Sequence, residues 1–424
     1  MITKPIRSEL ADGIALTTMQ TERFKAALLT VRLLVPLKAE TAAAYSLLTD
    51  VLTRGTEQYP TMRDLSRRQD ELYSASVGSF VQVRGETQIL SFDLSVLEDR
   101  YAFDGTPVLR EGIKLLGQII FHPLTENGVF RADYVEQEKK NLIDEIRDVI
   151  NNKPGYALTR CRQTMCAGEP YAVDGNGTEE DVKKLTPESL TAFWHTVLQT
   201  AKVEILYAGK KSHDELKALV NELLPFAPRK ADLSPALLLP ARAETQFVTE
   251  QMDVSQCQMV LGFRVEQTEK EIHPLAAGVF SMLYSDSMTS RLFMQVREKL
   301  HLCYFCSAVP NPYKKVMFVC CGLEKKNFEK AKKEILFQLA DIQNGNIGDE
   351  EFENAIRGCR SSFASVQDDR YQIVYWMLSR LLQGRSETPE EAIGMLSDVT
   401  KEDVAAFASR IRLDTVYCLE GGAQ

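Results

Sequence analysis

At 424 residues, with 44% hydrophobic and 26% charged side chains, the chain has the make-up of an ordinary globular protein and room for two or more cores. A net charge of −9 argues against the basic face of a nucleic-acid binder. No run of about 18 apolar residues occurs, so no membrane span is expected. The opening MITKPIRSEL lacks the apolar core of a signal peptide. Nine cysteines, an odd number, suit reduced thiols in a cytoplasm better than a disulfide framework.

In chain order, Leu29, Val31, Leu33, Val35 and Leu37 alternate and predict a half-buried strand. A helix is expected over about 41–53. On its wheel Ala44, Leu47, Leu48, Val51 and Leu52 make an apolar stripe, and Ser46, Thr49, Asp50 and Thr53 make a polar one. By spacing alone the polar stripe reads as a solvated face. Strands follow near 75–95, then helices near 107–120 and 131–150. The second of these carries Glu138 and Glu145, seven apart on one face. That pair alone reads as a charged surface helix.

Thr186-Pro-Glu-Ser-Leu-Thr-Ala-Phe193 then reads as a capped helix start, followed by the strand-like Val203–Gly209. Pro225, Pro228, Pro235 and Pro240 cluster at a join over 226–245. Beyond it come a strand over Gln258–Val265, a helix at about 274–285, strands near 302–323, and helices near 327–344 and 349–366. Cys303-Tyr-Phe-Cys306 is formally C-x-x-C, but it falls in a segment read as a strand, where positions 303 and 306 point to opposite faces. Cys320-Cys321 reads as a pair of buried strand cysteines. The chain closes on Thr400-Lys-Glu-Asp-Val-Ala-Ala-Phe407 and Thr415–Gly421, which repeat the Thr186 unit at an offset of 214 residues, half the chain. The expected organisation is therefore α+β, with an N-terminal half over 1–225, a linker over 226–245 and a C-terminal half over 246–424.

Leu47–Thr56, with its Arg54-Gly-Thr turn and the following Tyr59-Pro60, resembles the start of the pitrilysin/insulinase-type metallopeptidases, or inverzincins. In their H-x-x-E-H helix two histidines hold zinc and a glutamate acts as general base. Ser46, Thr49 and Asp50 stand at those three places. The resemblance extends over nearly the whole chain. It implies two homologous α+β halves, each a mixed sheet flanked by helices, forming a clam-like chamber as in the mitochondrial processing peptidase. By the same resemblance Glu145 matches the third zinc ligand and Glu138 its supporting residue. Arg297 and Tyr304 match an arginine and a tyrosine that reach the substrate, and both groups are suited to gripping a peptide carbonyl. His301 stands where the family usually has glycine.

A catalytic zinc needs about three protein ligands and an open position. Here both histidines and the base are replaced, so catalysis by this chain alone is not expected, and zinc is expected in a partner. His122, His195, His213, His273 and His301 form no i, i+4 pair and read as structural. No G-x-x-x-x-G-K-[ST], G-x-G-x-x-G or G-x-S-x-G occurs. Three functions remain open. The first is the peptide-binding subunit of a heterodimer with an H-x-x-E-H paralogue. The second is a stand-alone peptide binder or scaffold, a homodimer being the alternative to the heterodimer. The third is a peptidase with a hard cation at Asp50 and Glu145.

Overall fold

The computed structural model describes residues 3–231, 233–268 and 271–421. The strands in chain order are β1 (Ile6–Ala11), β2 (Ile14–Gln20), β3 (Ala26–Pro36), β4 (Ser76–Arg84), β5 (Thr87–Leu97), the two-residue β6 (Thr125–Glu126) and β7 (Val129–Phe130), β8 (Lys202–Gly209), β9 (Gln246–Gln251), β10 (Cys257–Val265), β11 (Phe305–Asn311), β12 (Val316–Leu323) and β13 (Ile411–Glu420). They build a six-stranded sheet ordered β1-β2-β8-β3-β5-β4 and a five-stranded sheet ordered β11-β12-β10-β13-β9.

Leave out β1 and the two orders are the same. β2 runs parallel to β8 and β9 parallel to β13, while the remaining neighbours in both sheets are antiparallel. The duplication read from the Thr186 and Thr400 segments is thus a duplication of whole sheets. Both threonines are N-caps closed by a capping box, and each hydroxyl satisfies an otherwise unpartnered helix N–H. Each capped helix leads into a long buried strand, β8 or β13.

The chain folds into two compact units. One comprises Met1–Arg147, Val173–Pro235 and Val366–Thr388; the other comprises Asp148–Ala172, Ala236–Ser365 and Pro389–Gln424. Each unit therefore draws on both sequence halves. In the first, the helices Ala39–Leu52, Val108–Phe121 and Pro187–Thr200 build the core on one face of the sheet. The helix Arg370–Leu382 covers the other face, with Ile373, Val374, Met377 and Leu378 against Met19, Leu28, Leu206 and Ala208. In the second, the helix Lys153–Met165 plays the matching part, setting Ala157, Cys161 and Met165 against Val260, Phe318 and Tyr417.

This exchange corrects the reading of β3. The odd residues from Leu29 to Val35 do face the main core, but Leu28, Thr30, Arg32 and Leu34 are buried as well. A strand covered by helices on both faces is buried on both. Arg32, in the middle of it, is paired with Asp93 on β5 at 2.6 Å. The second sheet contains a larger charged cluster. Glu169 accepts from Arg264 and Lys314, each at 2.6 Å, and Arg264 also reaches Asp414 at 3.1 Å. The cluster fastens the end of the helix Lys153–Met165 to its sheet.

Candidate functional site

The helix Ala39–Leu52 follows β3 directly, and nearly all of it is buried. Its polar stripe is not a solvated face: Ser46 is 5% exposed and Thr49 2%. The cover comes from the loop after residue 172. Ser46 Oγ donates to Asn176 Oδ1 at 2.8 Å, and Asn176 Nδ2 donates to Glu145 Oε1 at 3.2 Å. Asn176 thereby bridges two positions that the resemblance assigns to metal ligands. Gly177 makes the close approach possible. Its φ is +68°, and a Cβ there would lie 2.6 Å from the Ala43 Cβ. Gln88, fully buried on β5, holds the same loop by donating to the Gly175 carbonyl at 2.8 Å.

The other two positions are also engaged. Thr49 Oγ1 donates to the Ser46 carbonyl at 2.8 Å, a bond within the helix that a buried hydroxyl readily forms. Among the described residues no cation is hydrogen-bonded to the half-buried Asp50. Burial, and then the charges of Glu138 and Glu145, raise its carboxyl from the ordinary 3.8 to about 7. Glu138 is buried against Arg54 of the Arg-Gly-Thr turn at 3.1 Å and accepts from Asn141 at 2.8 Å. Arg54 also lies over the Tyr134 ring, 5.1 Å from its centroid.

This set does not fit zinc. One carboxyl tends to hold its proton near neutrality, a second is committed to an arginine, a third accepts from an amide, and no imidazole is among them. Among the described residues, no group of three or more histidine, cysteine, aspartate or glutamate side chains could hold a metal ion. Ser46, Thr49, Asp50, Glu138 and Glu145 are gathered in one unit, with Asn176 bridging Ser46 and Glu145 and Arg54 holding Glu138.

Arg297 and Tyr304 lie in the other unit, at the two ends of one turn. Arg297 is on the helix Leu292–Lys299, which has wide π-type turns. It is half exposed, 3.5 Å from Glu298, with its guanidinium 5.0 Å from the centre of the Phe293 ring. Tyr304 is 52% exposed, and its hydroxyl lies 3.5 Å from Glu324. Between them His301 has φ +50°. The family glycine is thus replaced by a residue that still adopts the left-handed conformation, which histidine tolerates better than most side chains. Leu300 N–H reaches the Gln295 carbonyl at 3.1 Å and Leu302 N–H the Val296 carbonyl at 3.0 Å, which completes the reversal into β11.

Two features here escape sequence reasoning. Asn176 sits in Asp174-Gly-Asn-Gly177, which signals a turn and nothing about what the turn lands on. The other is the contact between Cys303 and Cys306, which corrects the expectation of opposite faces. β11 begins only at Phe305 and the chain bends at Tyr304. The strand rule therefore does not apply across this pair, and the two thiols are within hydrogen-bonding reach.

Two of the remaining histidines sit at helix ends. His213 opens the helix His213–Leu223 and lies between Ser8 Oγ at 2.8 Å and Thr18 Oγ1 at 2.9 Å. His122 caps the helix Val108–Phe121.

Duplicated sheets of this order, with Ser46, Thr49 and Asp50 where a zinc helix carries its triplet, point to a metallopeptidase-like fold. The comparisons agree. A family model described as "Peptidase M16 inactive domain" matches residues 184–359. The Bacillus subtilis protein named "Probable inactive metalloprotease YmfF" is 28% identical over 409 residues, 96% of each chain. A conserved protein from Enterococcus faecalis has a solved structure that superposes with a TM-score of 0.90, at 27% identity and full coverage of both chains. A peptidase M16 inactive domain from Pseudomonas fluorescens shares the fold, with a TM-score of 0.81 at 15% identity, covering 100% of this chain and 99% of that one. The chain is thus similar to M16-type peptidases of the pitrilysin/insulinase kind, and among them to proteins described as inactive. Among the described residues no helix is long and apolar enough to cross a membrane.

Proposed function

We propose that this protein is the peptide-holding, non-hydrolytic subunit of a two-chain M16-type peptidase of the cytoplasm, whose partner supplies zinc and an intact H-x-x-E-H helix. The observation that carries the reading is a contrast. Ser46 and Thr49 are buried, Asn176 bridges Ser46 to Glu145, and Arg54 pairs with Glu138, whereas Arg297 and Tyr304 remain half exposed. A guanidinium donates and a phenol both donates and accepts, so the pair can hold a peptide backbone by its carbonyl and N–H groups without polarising it for attack. In this reading Glu138 and Glu145 are remnants of the metal site that now serve to keep it shut.

The test is reconstitution. The chain, alone and mixed with an H-x-x-E-H homologue from the same cells, is assayed on a fluorogenic peptide library with zinc present. The reading expects no turnover alone and turnover in the mixture. Arg297→Ala and Tyr304→Phe should reduce that turnover about tenfold or more through KM, with no change in thermal stability. Peptide affinity without turnover in any mixture would replace it with the stand-alone binder or scaffold. Turnover by this chain alone, abolished in Asp50→Ala, would replace it with the hard-cation peptidase.

A further inference from the structure

Five of the nine cysteines crowd one end of the second sheet, on its main core face. Cys306 on β11 lies opposite Cys321 on β12, Cys321 opposite Met259 on β10, and Met259 opposite Cys418 on β13. Sulfur thus runs in a row across four adjacent strands. Cys257 flanks the row, its Sγ 3.1 Å from that of Cys418. Cys303 flanks the other end, within reach of both Cys306 and Cys321.

These thiols differ in access. Cys257, Cys321 and Cys418 are buried, whereas Cys303 and Cys306 are only partly covered. Cys303 precedes the strand, in the turn that His301 opens, and the Arg297 guanidinium acts on it. Hydrogen bonds from Cys306 and Cys321, then the positive charge of Arg297, hold the Cys303 thiol well below the usual thiol range. The same contacts push Cys321 upward, and Cys306 rises through its bond to Cys303. A partly exposed sulfur that carries the negative charge, with a second thiol beside it, has the properties of a peroxide-reactive cysteine with a resolving partner. Cys306 is better placed than Cys321 to resolve it. β11 is the edge strand of its sheet, while β12 is held by a neighbour on each side.

We propose that Cys303 and Cys306 are an oxidation site, at which a hydroperoxide converts the two thiols into a reversible disulfide at the start of β11. The Cys303 thiolate attacks the terminal hydroxyl oxygen of the hydroperoxide, the O–O bond breaks, and the other oxygen leaves as alkoxide (hydroxide from hydrogen peroxide) and takes a proton from solvent. Cys303 is then a sulfenic acid. The Cys306 sulfur attacks the Cys303 sulfur, the S–O bond breaks, and the thiol proton leaves with the hydroxyl as water. Two electrons pass from the dithiol to the peroxide, and a small-molecule dithiol reverses the change. The site does not depend on peptide binding or on any partner.

The test uses the full reduced chain and hydrogen peroxide at pH 7. After partial oxidation the free thiols are alkylated and the tryptic peptides weighed. Cleavage after Lys299 and Lys314 leaves Cys303 and Cys306 on one peptide and Cys320 and Cys321 on another. The first product should be the 300–314 peptide, about 2 Da lighter and restored by dithiothreitol. Before oxidation Cys303 should alkylate at least about tenfold faster than Cys359, which is buried. Cys306→Ser should leave a sulfenic acid at Cys303 that dimedone captures, and Cys303→Ser should abolish the disulfide. The proposal fails if Cys257–Cys418 or a cross-peptide link forms first, or if Cys303 alkylates no faster than Cys359. The last comparison needs only the native chain, so a misfolding variant does not blunt it.

Discussion

After β3 the first unit places a 14-residue helix, Ala39–Leu52, whose polar side is sealed by a neighbouring loop. After β10 the second unit places Ala276–Ser281, which widens into π-type turns through Asp286 and again over Leu292–Lys299. The strands before these helices occupy the same place in sheets of the same order. The duplication thus keeps the sheet and frees the helix that follows it. The reason is packing. Central strands buried on both faces tolerate little change, whereas a helix covering one edge of a core can be rebuilt if its polar groups find new partners. The first unit found them in Asn176 and Arg54. The second left an arginine, a tyrosine and a thiol near solvent.

Removing buried charge tests the comparison most severely. Glu169→Ala leaves Arg264 and Lys314 without their shared carboxylate, and unfolding in urea should show a loss of about 3–5 kcal/mol. Asp93→Ala in the first unit should cost less, because Arg32 loses a single partner and still rests on the Phe80 ring. Equal losses would remove this difference between the sheets.

Gly177→Ala attacks the seal itself. The left-handed backbone and the contact with Ala43 together predict a loss of about 2–3 kcal/mol, read from the same urea titration. A neutral result would mean that the loop does not press on the helix.

The Asp50 carboxyl makes the first unit pH-sensitive. Its pKa is raised to about 7 in the fold from an ordinary 3.8, so the folded chain binds this proton more tightly than the unfolded one. The stability that follows is complete below about pH 4 and is lost as pH rises through about 7. Asp50→Asn should therefore match the native chain near pH 4 and exceed it by about 1–2 kcal/mol near pH 8, a figure reduced for partial exposure. Thermal melts across that range decide it, and parallel profiles for the two proteins would refute the shift.

The smallest effects are expected at the repeated caps. Thr186→Ala and Thr400→Ala should each cost about 1 kcal/mol, and similar losses would confirm that the two units end alike.

The sequence by itself determined the α+β class, the duplication, both threonine caps, several of the long helices and central strands, and the loss of the histidine pair; β1, β2, β9 and the helices Lys153–Met165 and Arg370–Leu382 were not read from it. The features it determined rest on period, spacing and residue chemistry, all of which act within a few turns of chain. Helices near 107–120, 131–150, 327–344 and 349–366 were legible for that reason, as Val108–Phe121, Ala132–Asp148, Phe328–Gln343 and Asp349–Ser365 show. Tertiary structure alone decided that helices from opposite sequence halves cover the two sheets, so that β3 is buried on both faces. It also decided that a turn 130 residues away closes over Ser46, and that a bend at Tyr304 turns two cysteines toward each other. Each depends on which distant segment arrives at a given face. Local periodicity records that a face is polar or apolar, but not what will cover it.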